Sequence, residues 1–190
     1  MPRILVALPA VLLCLTLAGP VLAADSTAAL IDARLSVSQK DYPTAVARIR
    51  EALVAVYQEA PLSCLNVTWI SAAPTGYGRY SPRPGNVFSG VEPMIVYLEP
   101  IGYSIVSTGG GYRFGIAADF LVLDDKNEPV GGARDFARSQ IVTRSPQTEY
   151  FEFFTFNLRQ LPAGKYTLKL TIRDQNSAKQ AVVTKDFVKQ

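Results

Sequence analysis

The sequence predicts a mainly β protein, an antiparallel β-sandwich preceded by a short α-helical hairpin. Three observations carry this expectation. From residue 64 to the C-terminus, apolar residues recur at every second position in segment after segment. Turn-forming residues separate these segments at intervals of about 8–12 residues, the spacing of a sandwich. Residues 25–60 differ, with apolar side chains three and four positions apart, as on a helix. No alternation of strands with helices follows, which excludes a doubly wound parallel sheet.

The N-terminus is set aside first. Arg3 precedes an almost unbroken apolar run, Ile4 to Leu17, which Gly19 and Pro20 interrupt before Val21-Leu22-Ala23. This is the pattern of a secretory signal cleaved after Ala23. The run is short for a membrane span and no basic cluster follows it. Cys14 follows Val11-Leu12-Leu13 and lacks the small residue that a lipoprotein cleavage site requires. A periplasmic or secreted location is therefore expected. The net charge is only +3, with Arg3 the only charge in residues 1–23, too little to argue for nucleic acid. Of two cysteines, Cys64 alone remains after cleavage, so the fold must rest on its apolar core. Cys64 is expected as a small buried residue, with an intermolecular disulfide as the alternative.

Residues 24–61 read as the hairpin. Asp25, Ser26 and Thr27 are N-cap candidates, and Leu30, Ile31 and Leu35 form the first apolar face. Lys40-Asp41-Tyr42-Pro43 interrupts, with Pro43 suited to a first helical turn. Val46, Ile49, Leu53, Val56 and Tyr57 form the second face, and Pro61 ends it. The pair resembles one tetratricopeptide-type unit. Such repeats need about three copies to bury a continuous core, so this hairpin must rest on the β-domain or on a partner.

Residues 62–190 read as the sandwich. Leu65, Val67 and Trp69 alternate with polar residues, and Asn66-Val67-Thr68 fits a glycosylation sequon. Residues 71–93 are dense in proline and glycine and read as a long loop without helix or strand. Strands are then expected over 94–98, 101–107, 114–122, 134–145, 151–158, 166–173 and 181–188. The turns between them include Gly109-Gly110-Gly111 and Asp124 to Glu128. Leu161-Pro-Ala-Gly-Lys-Tyr166 places a tyrosine just after a turn, as in the tyrosine corner of immunoglobulin-like sandwiches.

Gly78-Arg-Tyr-Ser-Pro-Arg-Pro-Gly-Asn-Val-Phe88, Glu92-Pro-Met-Ile-Val-Tyr-Leu-Glu-Pro-Ile-Gly-Tyr103 and Gly109-Gly-Gly-Tyr-Arg-Phe114 stand between the hairpin and the Leu161–Leu168 turn. In this order they resemble a group of uncharacterised exported proteobacterial proteins, over nearly all of the mature chain. The resemblance implies a bacterial envelope location and an immunoglobulin-like β-domain, and it implies no activity.

The chain has no histidine. That removes histidine-dependent nucleophile systems, most zinc sites and the usual neutral-pH base. No phosphate loop is present, because Gly109-Gly110-Gly111 opens no helix and lacks the following Lys and Ser/Thr. The acidic turn at 124–128 lacks the helical calcium-loop spacing. No cofactor, metal site or catalytic residue is expected. Two features stand out. Tyr77, Arg79, Tyr80 and Arg83 combine the residue types most enriched at binding hot spots. Tyr150-Phe-Glu-Phe-Phe-Thr-Phe156 carries more rings than one sheet face can bury; Phe151 and Phe153 alternate against Phe154 and Phe156, and one set is expected under the hairpin.

The favoured function is a non-enzymatic binding or assembly module that contacts another envelope protein through the 77–88 loop. One alternative is a carrier of a small apolar ligand, with its pocket between hairpin and sandwich. The other is a carboxylate-based hydrolase of envelope polymers using Glu92 and Glu99, with Asp119 a further carboxylate. The export reading predicts that protein recovered from a bacterial envelope begins at Ala24. Intact mass spectrometry checks this, and a chain still beginning at Met1 would contradict it.

Overall fold

The computed structural model describes residues 25–90 and 92–190. The expected signal segment, 1–23, lies outside the described residues. Two helices come first, α1 (Ser26–Ser38) and α2 (Tyr42–Glu59). Asp25 caps α1 through Thr27 N–H, and Asp41 caps α2 through Thr44 N–H, with Pro43 in the first turn. Lys40 adopts the left-handed conformation (φ 61°) where the chain reverses between them.

The helices meet through small residues. Ala29, Ala33 and Ser36 of α1 and Ala45, Ala52 and Ala55 of α2 are buried. The larger apolar residues expected to form the buried faces are instead exposed: Leu30, Ile31, Leu35, Val46, Ile49, Leu53 and Val56. Small side chains allow close helix approach, so the alanine stripe takes the contact and the bulky stripe turns outward.

Among the described residues nine strands follow: β1 (Ser63–Ile70), β2 (Val87–Phe88), β3 (Met94–Ile101), β4 (Val106–Thr108), β5 (Gly111–Leu123), β6 (Pro129–Thr143), β7 (Glu152–Phe156), β8 (Gly164–Asp174) and β9 (Gln180–Lys189). They form a three-stranded sheet, β1-β3-β7, and a six-stranded sheet, β2-β9-β8-β5-β4, with β6 paired to β5. One apolar core lies between them, joining Val96 and Leu98 of β3 and Phe154 and Phe156 of β7 to Phe114, Ile116, Leu168 and Leu170 of the larger sheet. The alternation along β8 is complete: Tyr166, Leu168, Leu170 and Ile172 are buried, and Thr167, Lys169 and Thr171 between them are half-buried.

Two expectations change. The 71–93 loop contains β2, which pairs in parallel with β9 (Val87 with Val188), so the strands are not all antiparallel. The 101–107 segment yields only β4 at its end; Gly102 to Ile105 leave the ladder and bury Tyr103 and Ile105. A side chain at Gly102 (φ 76°) would strike the Pro61 carbonyl, with its Cβ at 2.3 Å from the oxygen. The Tyr166 hydroxyl donates to Pro162 O at 3.0 Å, the back-bond that the Leu161–Tyr166 turn led one to expect. On the outer side, β6 is long and largely exposed, and β5 is its only recorded partner among the described residues. Its ladder with β5 is displaced near Asp135 (φ 49°), whose N–H donates to Asp119.

The hairpin meets the sandwich at the end of α2. Tyr57 packs edge-on against Tyr103 and donates to Thr148 O, while Gln58 Nε2 donates to Ile105 O. Lys179 Nζ donates to Tyr57 O (3.1 Å), Gln58 O (2.8 Å) and Gly102 O (2.9 Å), placing a cation on otherwise unpaired carbonyls at the helix C-terminus. Phe151 and Phe153 are not under the hairpin. Phe151 stacks on Tyr97 and Phe153 is exposed, because the β3–β7 register (Tyr97 opposite Phe153, Val96 opposite Phe154) puts them on the outer face of the smaller sheet with Tyr97. Lys179→Met is expected to cost about 1.5–3 kcal/mol, the range for hydrogen bonds from a charged donor, in urea unfolding followed by circular dichroism. A loss within error would show the three contacts to be incidental.

Candidate functional site

Every residue of β3 from Met94 to Pro100 is buried, although alternate side chains point to opposite faces of the sheet. Met94, Val96 and Leu98 enter the main core. Ile95 and Tyr97 join Ile70 in a second apolar cluster, on which Tyr80 and Phe151 pack. The loop after β1 supplies this cover. It leaves β1 through the Ile70–Pro82 bridge, with Ser71 N–H donating to Ser81 O and Arg83 N–H to Trp69 O. At its tip Thr75 and Gly76 pair with Arg79, and Gly78 takes the left-handed conformation (φ 65°) that the tight turn requires.

The tip rests on buried polar groups. Gly78 N–H donates to the Tyr97 hydroxyl at 2.9 Å, and that hydroxyl donates to Glu99 Oε1 at 2.7 Å. Glu99 is only 3% exposed, and its other oxygen accepts from Asn66 Nδ2 at 2.7 Å. Asn66 stands in a bulge of β1, with φ 50°, which aims its amide at the carboxylate. Burial first, and the bond to Glu99 second, push the Tyr97 phenol well above its ordinary value. Burial and the nearby Glu99 carboxylate raise that of Tyr77 as well. A phenol that holds its proton this firmly remains a hydrogen-bond donor across the physiological range.

This arrangement divides the four expected contact residues. Tyr77 is 39% exposed, and Arg79 is exposed with no recorded side-chain partner among the described residues. Tyr80 lies against Tyr97, ring centroids 4.1 Å apart, and seals the second apolar cluster. Arg83 pairs with Glu92, donates to Val87 O and lies over the Phe88 ring at 4.4 Å. Tyr80 and Arg83 therefore hold the loop down, and of the four residues expected to form the contact surface Tyr77 and Arg79 alone are exposed.

The carboxylates are engaged separately, Glu92 by Arg83 and Glu99 by Tyr97 and Asn66. Glu92 precedes β3, and Glu99 lies roughly 16 Å along that strand from Met94 at ~3.3 Å per residue, beyond the roughly 5–9 Å a glycosidase pair needs. Asp119 accepts from Arg173 and from Asp135 N–H on the opposite sheet. Asp124 accepts from Lys126 and Glu128 N–H groups and thereby closes its turn. The sequon's Asn66 amide is engaged with Glu99, and burial pushes the Cys64 thiol up to about 12, leaving a poor nucleophile. An open cleft of about 900 Å³ is lined by Asp124, Asp125 and the 157–166 turn, with no hairpin residue.

No protein-family model matches the chain. No curated protein matches it in sequence. Among solved structures it is similar to a Niemann-Pick type C2 protein from the Japanese carpenter ant, at 9% identity and a TM-score of 0.38, covering 69% of this chain and 94% of that one. It is also similar to the alkylpurine DNA glycosylase AlkC of Pseudomonas fluorescens, at 7% identity and a TM-score of 0.38, covering 82% and 42%. The superoxide reductase of Ignicoccus hospitalis aligns at 9% identity and a TM-score of 0.33, covering 57% and 77%.

The Tyr97–Glu99 support predicts unequal effects. Tyr97→Phe leaves the buried carboxylate short of a donor and should cost about 1–3 kcal/mol, whereas Tyr77→Ala should stay within about 0.5 kcal/mol. Urea denaturation of both variants checks this, and equal effects would contradict it.

Proposed function

We propose that this protein is an exported, non-enzymatic binding or assembly module of a bacterial envelope. It meets a protein partner at the tip of the loop, through Tyr77 and Arg79. The observation that supports this reading most is the contrast at that tip. A buried tyrosine, a buried carboxylate and a strained asparagine hold the backbone in place, while the Tyr77 ring and the Arg79 guanidinium stay exposed. Holding a binding loop in one conformation before contact lowers the entropy lost on association. Tyrosine and arginine supply large contact area with a polar end, the combination that dominates binding hot spots.

The β-domain is read as immunoglobulin-like, a reading supported by its two sheets around one core and by the Tyr166 back-bond. The carrier reading draws less support, since Phe154 and Phe156 fill the core and Phe151 stacks on Tyr97, which leaves only Phe153 of the four rings exposed. The hydrolase reading draws less support, because Glu92 is engaged by Arg83 and Glu99 by Tyr97 and Asn66.

Photo-crosslinking from a probe placed at position 76, in cells of the native host, tests the proposal. A discrete adduct should form and should disappear in the Tyr77→Ala/Arg79→Ala double variant, with thermal melting unchanged. It should persist in Lys126→Ala, at a turn elsewhere. An adduct that survives the double variant would refute the assignment of the tip.

A further inference from the structure

On α2, Tyr42, Val46, Ile49, Leu53 and Val56 follow one another at steps of four, three, four and three residues. That is the spacing of a coiled-coil seam, on which apolar residues repeat every 3.5 positions and stay on one side of the helix. All five are between 42% and 60% exposed. The seam stands about a quarter-turn around α2 from the alanine stripe that meets α1. On an antiparallel neighbour the corresponding quarter-turn carries Leu30 and Val37, one heptad apart and 52% and 48% exposed. The hairpin thus has one broad, largely apolar face, on which Arg34 lies between Leu30 and Val37 and Arg50 borders the α2 seam, while Ile31, Leu35, Asp32, Arg48 and Glu51 stand on other sides. The sandwich leaves this face open, because its recorded polar contacts with the hairpin come from the last turn of α2.

We infer that this face is a homodimer interface, and that two copies of the hairpin pair about a two-fold axis into an antiparallel four-helix bundle. The size of the face supports a second copy as the occupant. Seven residues of this kind, about half exposed, present roughly 700 Å² on each copy. A face-to-face pair would then bury roughly 1,400 Å², within the roughly 1,200–2,000 Å² of specific interfaces. The spacing supports it too, since a seam of period 3.5 accepts the knobs of an identical seam into its own holes. Two-fold pairing is also the commonest closed symmetry, and it consumes the patch without leaving a free copy of it. The tip at residues 77–79 belongs to another element, so the dimer and the partner contact proposed above stand or fall separately.

The test is the mass of the full mature protein in solution, by light scattering after size-exclusion chromatography at micromolar concentration. The wild type should have twice the chain mass. Ile49→Asp/Leu53→Asp should halve it, with helical and strand signals in circular dichroism retained because both positions are exposed within one copy. Ala47→Asp, on the opposite side of α2, should leave the dimer intact. A monomeric wild type would overturn the inference, whether it stays free, sediments with vesicles of phosphatidylethanolamine and phosphatidylglycerol, or binds only a different protein. A double variant that folds and remains dimeric would overturn it as well.

Discussion

The structure depends on a strand that must be covered on both sides. β3 is the middle strand of the smaller sheet, and its sequence from Met94 to Leu98 is apolar without alternation. The larger sheet covers one side. The other would expose Ile95 and Tyr97 to water if no further layer existed, and among the described residues no helix packs there. The loop after β1 becomes that layer. Its proline- and glycine-rich composition gives no long regular structure, yet Tyr80 and the short β2 strand bring it down onto the domain. Once it is down, backbone groups near its tip lie over β3 and need polar partners, and Tyr97 and Glu99 provide them. A buried carboxylate without a cation is costly unless its oxygens are hydrogen-bonded, which accounts for the bulge that turns Asn66 inward.

Much of this fold could be read from the residues. Period-two alternation located β1, β5, β8 and β9, and capping residues with Pro43 located both helices. The signals that failed have a common cause: periodicity reports which side chains share a face but not what that face touches. In the hairpin the bulky face was conspicuous and the alanine face was not, yet the alanines make the contact because they permit closer approach. In β7, the separation of Phe154 and Phe156 from Phe151 and Phe153 was correct, but their neighbours depended on sheet order, which local spacing does not contain.

The candidate site was half visible. Tyrosine and arginine in one loop mark a surface worth attention, but residue type cannot separate those that hold a loop from those that face outward. Arg83 had a nearby acid, Glu92, as a clue to its structural role. Tyr80 had none, since its counterpart, Tyr97, lies on a strand that becomes its neighbour only in three dimensions. Glu99 within an apolar strand was the stronger sign, because a carboxylate placed among Leu98, Pro100 and Ile101 must find donors as the strand is buried.

The long, uncovered side of β6 has a consequence for life at high concentration. A fifteen-residue edge strand whose outward-pointing backbone groups are free is a template onto which the same strand of another molecule can add, and then another. Here the edge is broken. The turn of the chain at Asp135 offsets the ladder, and Arg138 and Arg173 gather ionic charge at the break. The offset thereby denies a second copy of this strand one continuous edge on which to add.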